Sequence, residues 1–149
     1  MERDQRILVR ETWRRIEPIG EQAAVLFYDR LFQIDPTLRR LFKNSDMPQQ
    51  HRKLIQALSA VVRALDHLDS ICPMLEALGR RHLGYGVTAA HYESVGAALL
   101  GTLEKAMDEA WTGEVETAWS TAYGLVADAM QKTSALPPPL PAQRPQPTL

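Results

Sequence analysis

The sequence has little cysteine and no long apolar run, and both shortages exclude classes of protein. Cys72 is the only cysteine among 149 residues, so the chain can form neither an internal disulfide nor a cysteine-based zinc cluster. No apolar stretch approaches the roughly 20 residues that a membrane-spanning helix needs. The charged start MERDQR lacks the apolar segment of a signal peptide. We therefore expect a soluble, cytoplasmic protein with no membrane partner.

The chain also has little net charge. The formal charge is −1 and no long basic run occurs, so nothing in the charge pattern predicts binding to nucleic acid. Arginines come in pairs, such as Arg80 and Arg81, which is typical of a solvated helix face. The apolar content of 45% is enough for one domain with a core of its own. Net charge and apolar content do not determine the oligomeric state.

No segment before residue 135 alternates with a period of two, so the pattern predicts no strands. Apolar residues recur instead at helical spacing, and turn residues separate the segments. The fold class is therefore all-α, with one domain over residues 1–134 and a proline-rich tail over residues 135–149, which we expect to be extended. The predicted helices cover residues 4–17, 21–34, 37–42, 49–68, 73–83, 89–110 and 114–133.

Two polar side chains fall on faces that should be buried. Tyr28 shares a helix face with Phe27, Leu31 and Phe32, where its hydroxyl group must find a hydrogen-bond partner. His82 continues a stripe of apolar residues on a later helix. A lone histidine on such a stripe is more often an ordinary core residue than a metal ligand, so its surroundings have to decide its role.

Further residues near these two point to a ligand cavity. Gln49, Gln50 and His51 open the long helix just before its apolar stripe, and Phe42 ends the short helix that follows Pro36. A cavity between the long helix and the His82 helix would have a metal ligand on one side and hydrogen-bond donors on the other.

Taken together, these residues resemble the globins, and particularly the bacterial single-domain globins related to the haem domain of flavohaemoglobins. The matching features are Pro36 six places before Phe42, the QQHRKL motif, the GRRHLGYGV motif around His82, the HY pair at residues 91–92, and AWSTAYGLVA in the last helix. The resemblance covers about residues 5–133. It implies a globin fold of six to seven helices around a haem pocket, with haem b as the cofactor.

The resemblance implies that His82 is the proximal ligand, with one ring nitrogen bound to the haem iron. The other ring nitrogen then needs a hydrogen-bond acceptor that fixes the ring, and the carbonyl group of Leu78, one helical turn earlier, is the natural candidate. Phe42 is expected to pack flat against the porphyrin.

On the distal side, the resemblance implies that Tyr28 donates a hydrogen bond to the bound gas, which can be dioxygen, nitric oxide or carbon monoxide. The second donor is left open by helical geometry, because Gln50 and His51 flank Leu54 about equally. Matching the RKL segment to related sequences favours Gln50 and puts Leu54 over the haem. If His51 faced inward instead, it could bind the iron and compete with oxygen.

The sequence departs from the flavohaemoglobin pattern at two points. Tyr92 matches the tyrosine that supports the proximal histidine there, but the matching glutamate position falls on Ser134. The reductase domain is also expected to be missing. The leading prediction is therefore reversible oxygen binding, for storage or transport. Nitric oxide dioxygenation with a separate reductase is the alternative, and gas sensing through a partner is a third hypothesis.

Overall fold

The computed structural model describes residues 1–132 and is built from helices. Within that range no strand occurs, so the all-α prediction is confirmed. Ser134 and the tail at residues 135–149 lie outside the described residues. Six α-helices follow one another along the chain: α1 (Arg3–Ile16), α2 (Gly20–Ile34), α3 (Met47–Arg63), α4 (Leu68–Gly84), α5 (Ala89–Met107) and α6 (Gly113–Gln131).

Short 3₁₀ segments complete several of the connections between the helices. They cover Glu17–Ile19, Pro36–Phe42, Leu65–His67 and Asp108–Ala110. The second of these is the short helix that the sequence predicts after Pro36. Proline is well suited to open it because its fixed φ matches a first helical turn and its missing N–H is not needed there.

The predicted ends of two helices were wrong. α3 ends at Arg63 instead of residue 68, and α4 begins at Leu68, so Pro73 lies inside α4 instead of in its first turn. The 3₁₀ turn Leu65–His67 explains both differences, because it turns the chain directly into α4. Leu65, the first residue of that turn, is buried, at 4% exposure.

The start of α5 is held by hydrogen bonds from side chains. α5 begins with a reciprocal cap in which the Thr88 side chain accepts from the backbone of the third helical residue, His91, whose ring accepts from the Thr88 N–H group. Such a cap satisfies backbone donors that a helix start otherwise leaves without partners. It fixes where α5 starts, and so where its first turn meets the cavity.

The packing leaves a cavity that is bounded by α2 to α6 and by the Pro36–Phe42 segment. α2 lies against α5 and α3, while α1 and α4 both lie on α6. Trp13 links α1 to α3, because its indole N–H donates to Ser59 Oγ at 3.1 Å and to Glu17 Oε2 at 3.1 Å. In residues 1–132 we find no helix that combines the length and apolar character needed to cross a bilayer.

Candidate functional site

The site is a cavity of about 490 Å³ whose walls are mostly apolar. Its size is typical of pockets that bind a small molecule or cofactor. Five α-helices and the Pro36–Phe42 segment contribute to its walls, so no single element could form it. The apolar lining residues from these elements include Phe27, Leu38, Leu41, Leu54, Leu58, Val61, Leu75, Leu78, Val95, Leu99, Trp119, Val126 and Met130.

His82 is the most deeply buried polar side chain in the cavity wall. It is 0% exposed, and its Nδ1 atom lies 2.7 Å from the carbonyl oxygen of Leu78. This is the contact that the sequence predicts for Leu78. Within residues 1–132, the second ring nitrogen, Nε2, is buried and has no hydrogen-bond partner. A buried nitrogen of this kind is costly unless something binds it.

The charge state of His82 follows from its burial. Burial lowers the pKa of His82 to about 4, while the Leu78 carbonyl group raises it and the nearby Arg81 lowers it. The ring is therefore neutral at pH 7. If Nδ1 carries the proton that the Leu78 carbonyl accepts, Nε2 has a free lone pair, which is the form in which imidazole binds a metal.

Gly79 sets the position of the His82 helix. A Cβ atom at residue 79 would lie 2.0 Å from the carbonyl oxygen of Met130, on α6. No side chain fits in so short a gap, so only glycine allows the two backbones to approach this closely. The approach holds α4 on α6 and thereby places His82, one turn further on, at the cavity wall.

Tyr28 lies in an aromatic cluster that adjoins the cavity. It is 2% exposed, and its ring centroid lies 5.0 Å from that of Phe27, 5.5 Å from that of Phe42 and 5.4 Å from that of His51. Burial raises the pKa of Tyr28 above its ordinary value, so the hydroxyl group keeps its proton and can donate. Tyr28 is not among the residues that line the cavity, but Phe27, which touches it edge-on, is.

The two candidates for the second distal donor occupy different environments. Gln50 is 1% exposed, whereas His51 is only partly buried and packs against the Tyr28 ring. Neither lines the cavity, but Leu54, one turn beyond Gln50 on α3, does. Gln50 is thus the more deeply buried of the two, whereas His51 contacts the buried Tyr28 ring, and the choice of Gln50 as the second donor stays a prediction.

Phe27, for which no role at the cavity was predicted, lies closer to it than Phe42, which was expected to pack against the porphyrin. Phe42 is 5% exposed and makes edge-on contacts with the rings of Tyr28 and Phe32, but it is absent from the cavity wall. Phe27 lines the cavity instead. Sequence spacing could not distinguish them, because both are apolar residues on buried faces.

Tyr92, another predicted site residue, does line the cavity. Its backbone carbonyl oxygen accepts a hydrogen bond from the Tyr123 hydroxyl group at 2.5 Å. The ring of Tyr123 passes close over Gly96, where a Cβ atom would lie 2.8 Å from the ring. This contact joins α6 to the first turn of α5, and no sequence signal indicated it.

Sequence reasoning also missed several polar residues of the cavity wall. Among them are Lys53, Arg81 and His91, although the arginine pair was expected on a solvated face. The His91 side chain is 19% exposed. Two cations at an otherwise apolar cavity favour a ligand that carries negative charge at one edge.

These features fit the haem that the resemblance implies. The imidazole of His82 supplies one free nitrogen for iron, the apolar walls suit a porphyrin, and Lys53 and Arg81 suit its two carboxylates.

Comparison with known proteins gives the same family as the resemblance. The globin family model matches residues 25–130. The flavohemoprotein of Bacillus subtilis is 32% identical over 124 residues, covering 82% of this chain and 31% of that protein. The flavohemoprotein of Bordetella parapertussis is 34% identical over 127 residues, covering 84% of this chain and 32% of that protein. The chain thus spans about a third of the length of these relatives.

A solved structure supports the fold independently. The hexacoordinated heme protein of an anhydrobiotic tardigrade superposes with a TM-score of 0.79, covering 89% of this chain and 94% of that one. The sequence identity is only 16%, so the likeness concerns the arrangement of the helices. It shows that these helices can pack as they do with a very different set of side chains.

Proposed function

The chain belongs to the globin family and binds haem, and from that premise we propose that it binds dioxygen reversibly. His82 is the proximal ligand in this proposal, through Nε2, and the Leu78 carbonyl group holds the ring in place through Nδ1. What supports the assignment is that His82 is neutral, fully buried and without another partner for Nε2 in the described part of the chain.

The remaining walls hold the cofactor. Leu54 and Phe27, which line the cavity, would cover the distal side of the haem and Tyr92 the proximal side, and Lys53 and Arg81 would pair with its carboxylates. The apolar lining excludes water, which protects the bound gas from protonation and loss. Phe42 stabilises the haem pocket from one layer further out, by holding the rings of Tyr28 and Phe32.

Ferrous haem supplies an open coordination position for dioxygen, nitric oxide or carbon monoxide. The role of Tyr28 is to donate its hydroxyl proton in a hydrogen bond to the bound gas. Dioxygen takes on partial negative charge when it binds, so this bond is charge-assisted and contributes about 1.5–3 kcal/mol. That corresponds to roughly ten- to hundredfold slower oxygen dissociation. Carbon monoxide gains far less, because it stays nearly apolar.

Gln50 is the second distal donor in this proposal, and His51 supports the Tyr28 ring from outside. The burial of Gln50, at 1% exposure, favours Gln50 over His51 as the second donor. A ferrous spectrum with two sharp visible bands in the absence of gas would show that a side chain occupies the sixth position. That spectrum would contradict the role given to Gln50.

The single observation that carries the proposal is the buried, neutral His82 in an apolar cavity. The test is haem reconstitution of the full chain, followed by absorption spectra of the ferric, ferrous and oxygenated forms. We expect one haem per chain and a stable oxygenated spectrum. A His82→Gly variant should lose that spectrum and regain a related one when imidazole is added. A variant that keeps the unaltered spectrum would contradict the assignment.

The similarity to two flavohemoproteins favours a second candidate function, nitric oxide dioxygenation. Joining nitric oxide and dioxygen as nitrate takes one electron per turnover, which a separate flavin reductase would supply. The measurement is nitric oxide consumption with and without added reductase. Sustained turnover would support the enzyme, whereas one stoichiometric burst in both cases would leave oxygen binding as the function.

A further inference from the structure

His91 joins two corners of the molecule at the edge of the cavity. Its Nδ1 atom accepts a hydrogen bond from the Thr88 N–H group at 3.0 Å, which closes the cap at the start of α5. Its Nε2 atom lies 4.0 Å from Oδ2 of Asp35, the residue between α2 and the Pro36–Phe42 segment. His91 also lines the cavity. One imidazole therefore touches the α4–α5 corner, the α2 corner and the ligand space.

The hydrogen bonds fix the tautomer of this ring. Because Nδ1 accepts from a backbone N–H group, it carries no proton in the neutral ring, and the proton sits on Nε2. A protonated ring has N–H groups at both positions, so Nδ1 can no longer accept from Thr88. Protonation therefore removes one of the two bonds of the cap, while the bond from the His91 backbone N–H group to the Thr88 side chain remains. The same charge attracts Asp35, whose other carboxylate oxygen, Oδ1, already accepts from the Thr37 backbone.

The residue type at this position is informative. The third position of a reciprocal helix cap is normally Glu or Gln, which hold the bond across the neutral pH range. A histidine makes the same bond only while it is neutral, and histidines titrate between about pH 5 and 8.

The other charged groups around the cavity either favour or oppose a positive charge on the His91 ring. Asp35, from the α2 corner, favours a positive charge on His91. Lys53 of α3 and Arg81 of α4 line the same cavity and oppose it. His82 of α4 and Tyr123 of α6 also line the cavity and are neutral at pH 7, as is Tyr92 beside His91 on α5.

We propose that His91 is a proton-operated latch, which caps α5 when neutral and moves to Asp35 when protonated, and so couples pH to the haem cavity. In the neutral state the first turn of α5, with Tyr92, is held in place against the cavity. In the protonated state that turn loosens and is drawn towards the α2 corner. The effect on haem rests on the proposed function, but the exchange of partners does not.

The test uses the ¹⁵N-labelled full chain as the diamagnetic ferrous carbon monoxide complex, at pH 7.5 and 5.5. The His91 ring nitrogens report its tautomer and protonation, and amide exchange at Thr88 reports the cap. We expect Nδ1 to carry no proton in the form in which the Thr88 amide is protected, and to carry one in the form in which Thr88 has lost that protection. At pH 5.5 the Thr88 amide should exchange up to about fivefold faster than the same amide in a His91→Gln variant. That factor is the effect of losing one capping bond.

His91→Gln is the matched control, because glutamine completes the cap and does not titrate. Haem transfer to an acceptor protein should become faster between pH 7.5 and 5.5 in both chains, because His82 is present in both, but the increase should be larger in the unaltered chain than in His91→Gln. Asp35→Asn keeps an oxygen for the Thr37 N–H group but removes the charge, so it should shift the change to lower pH.

Identical pH profiles for the unaltered chain and His91→Gln would overturn the latch, as would a His91 ring whose nitrogens do not change over this range. If the chain takes up no haem at all, the proposed function fails instead. The ring-nitrogen and Thr88 measurements on the haem-free chain would then still decide whether the partners are exchanged.

Discussion

The two sides of the cavity are built in different ways. On the His82 side, the fixing contacts involve backbone: Nδ1 binds the Leu78 carbonyl group of its own helix, and Gly79 brings α4 against the backbone of Met130. On the Tyr28 side, the contacts are between rings from α2, α3 and the Pro36–Phe42 segment. A wall set by backbone contacts has little freedom to adjust, whereas packed side chains can repack. Substitutions should therefore have larger effects on the His82 side.

The largest effect is expected for Gly79→Ala. The added Cβ atom would lie 2.0 Å from the Met130 carbonyl oxygen, so α4 has to move away from α6. We expect the free energy of unfolding to fall by about 3 kcal/mol, at the upper end for overpacking, and haem affinity to fall with it. Chemical denaturation and haem titration measure both.

Gly84→Ala is the control on the same helix, because nothing lies within 4 Å of its Cβ position. It should leave haem affinity unchanged. Equal losses in the two variants would show that the close approach at Gly79 does not fix the His82 wall.

The next largest effect is a pH dependence that originates on the same wall. The pKa of His82 is about 4 in the folded chain, against 6.5 as its ordinary value. The folded state then binds fewer protons, so its stability is complete above pH 6.5 and falls as the pH falls towards 4. Between pH 7 and 5 the haem-free chain should lose about 2 kcal/mol of unfolding free energy from this group.

His82→Leu should remove most of that loss between pH 7 and 5, since the carboxylates with lowered pKa values, Glu17 and Asp66, titrate below this window. Denaturant titrations at the two pH values provide the measurement. An equally steep loss in the variant would mean that other groups control acid stability.

On the distal side, Tyr28→Phe removes one hydroxyl group and keeps the ring packing. We expect stability to change little, and oxygen to dissociate roughly ten- to hundredfold faster, because one charge-assisted hydrogen bond is lost. Carbon monoxide dissociation should stay nearly constant and serves as the internal control. Stopped-flow oxygen release from the two proteins measures the ratio, and an unchanged rate would remove Tyr28 from its proposed role.

The smallest difference should separate the two neighbours on α3. Gln50→Leu removes a donor that is 1% exposed and should speed oxygen release by about fivefold, the effect of a neutral hydrogen bond near 1 kcal/mol. His51→Leu removes a partly buried ring and should change the rate less. The opposite order would show that His51 faces the bound gas and would reverse the assignment.

The helices and the His82 stripe could be predicted from the sequence because both depend on local periodicity. A side chain that lies on an apolar stripe in a helix also meets the carbonyl group one turn earlier, so Leu78 could be expected beside His82. The ends of α3 and α4 could not be predicted, because the Leu65–His67 turn joins them in a way that no cap signal marked. The role of Gly79 could not be predicted either, because it depends on contact with Met130, 51 positions later in the chain.

Helical spacing alone fixes which side chains share a face, so an all-α chain with Tyr28 and His82 on buried faces could be inferred before the packing was known. Three other features appear only once the helices are packed. Phe27 and not Phe42 lines the cavity, and Arg81 and His91 line it as well. Gln50 is buried, while His51 packs against the Tyr28 ring. The physical reason is that these choices depend on how distant helices pack, and the angles and gaps between helices are set by all the side chains at once.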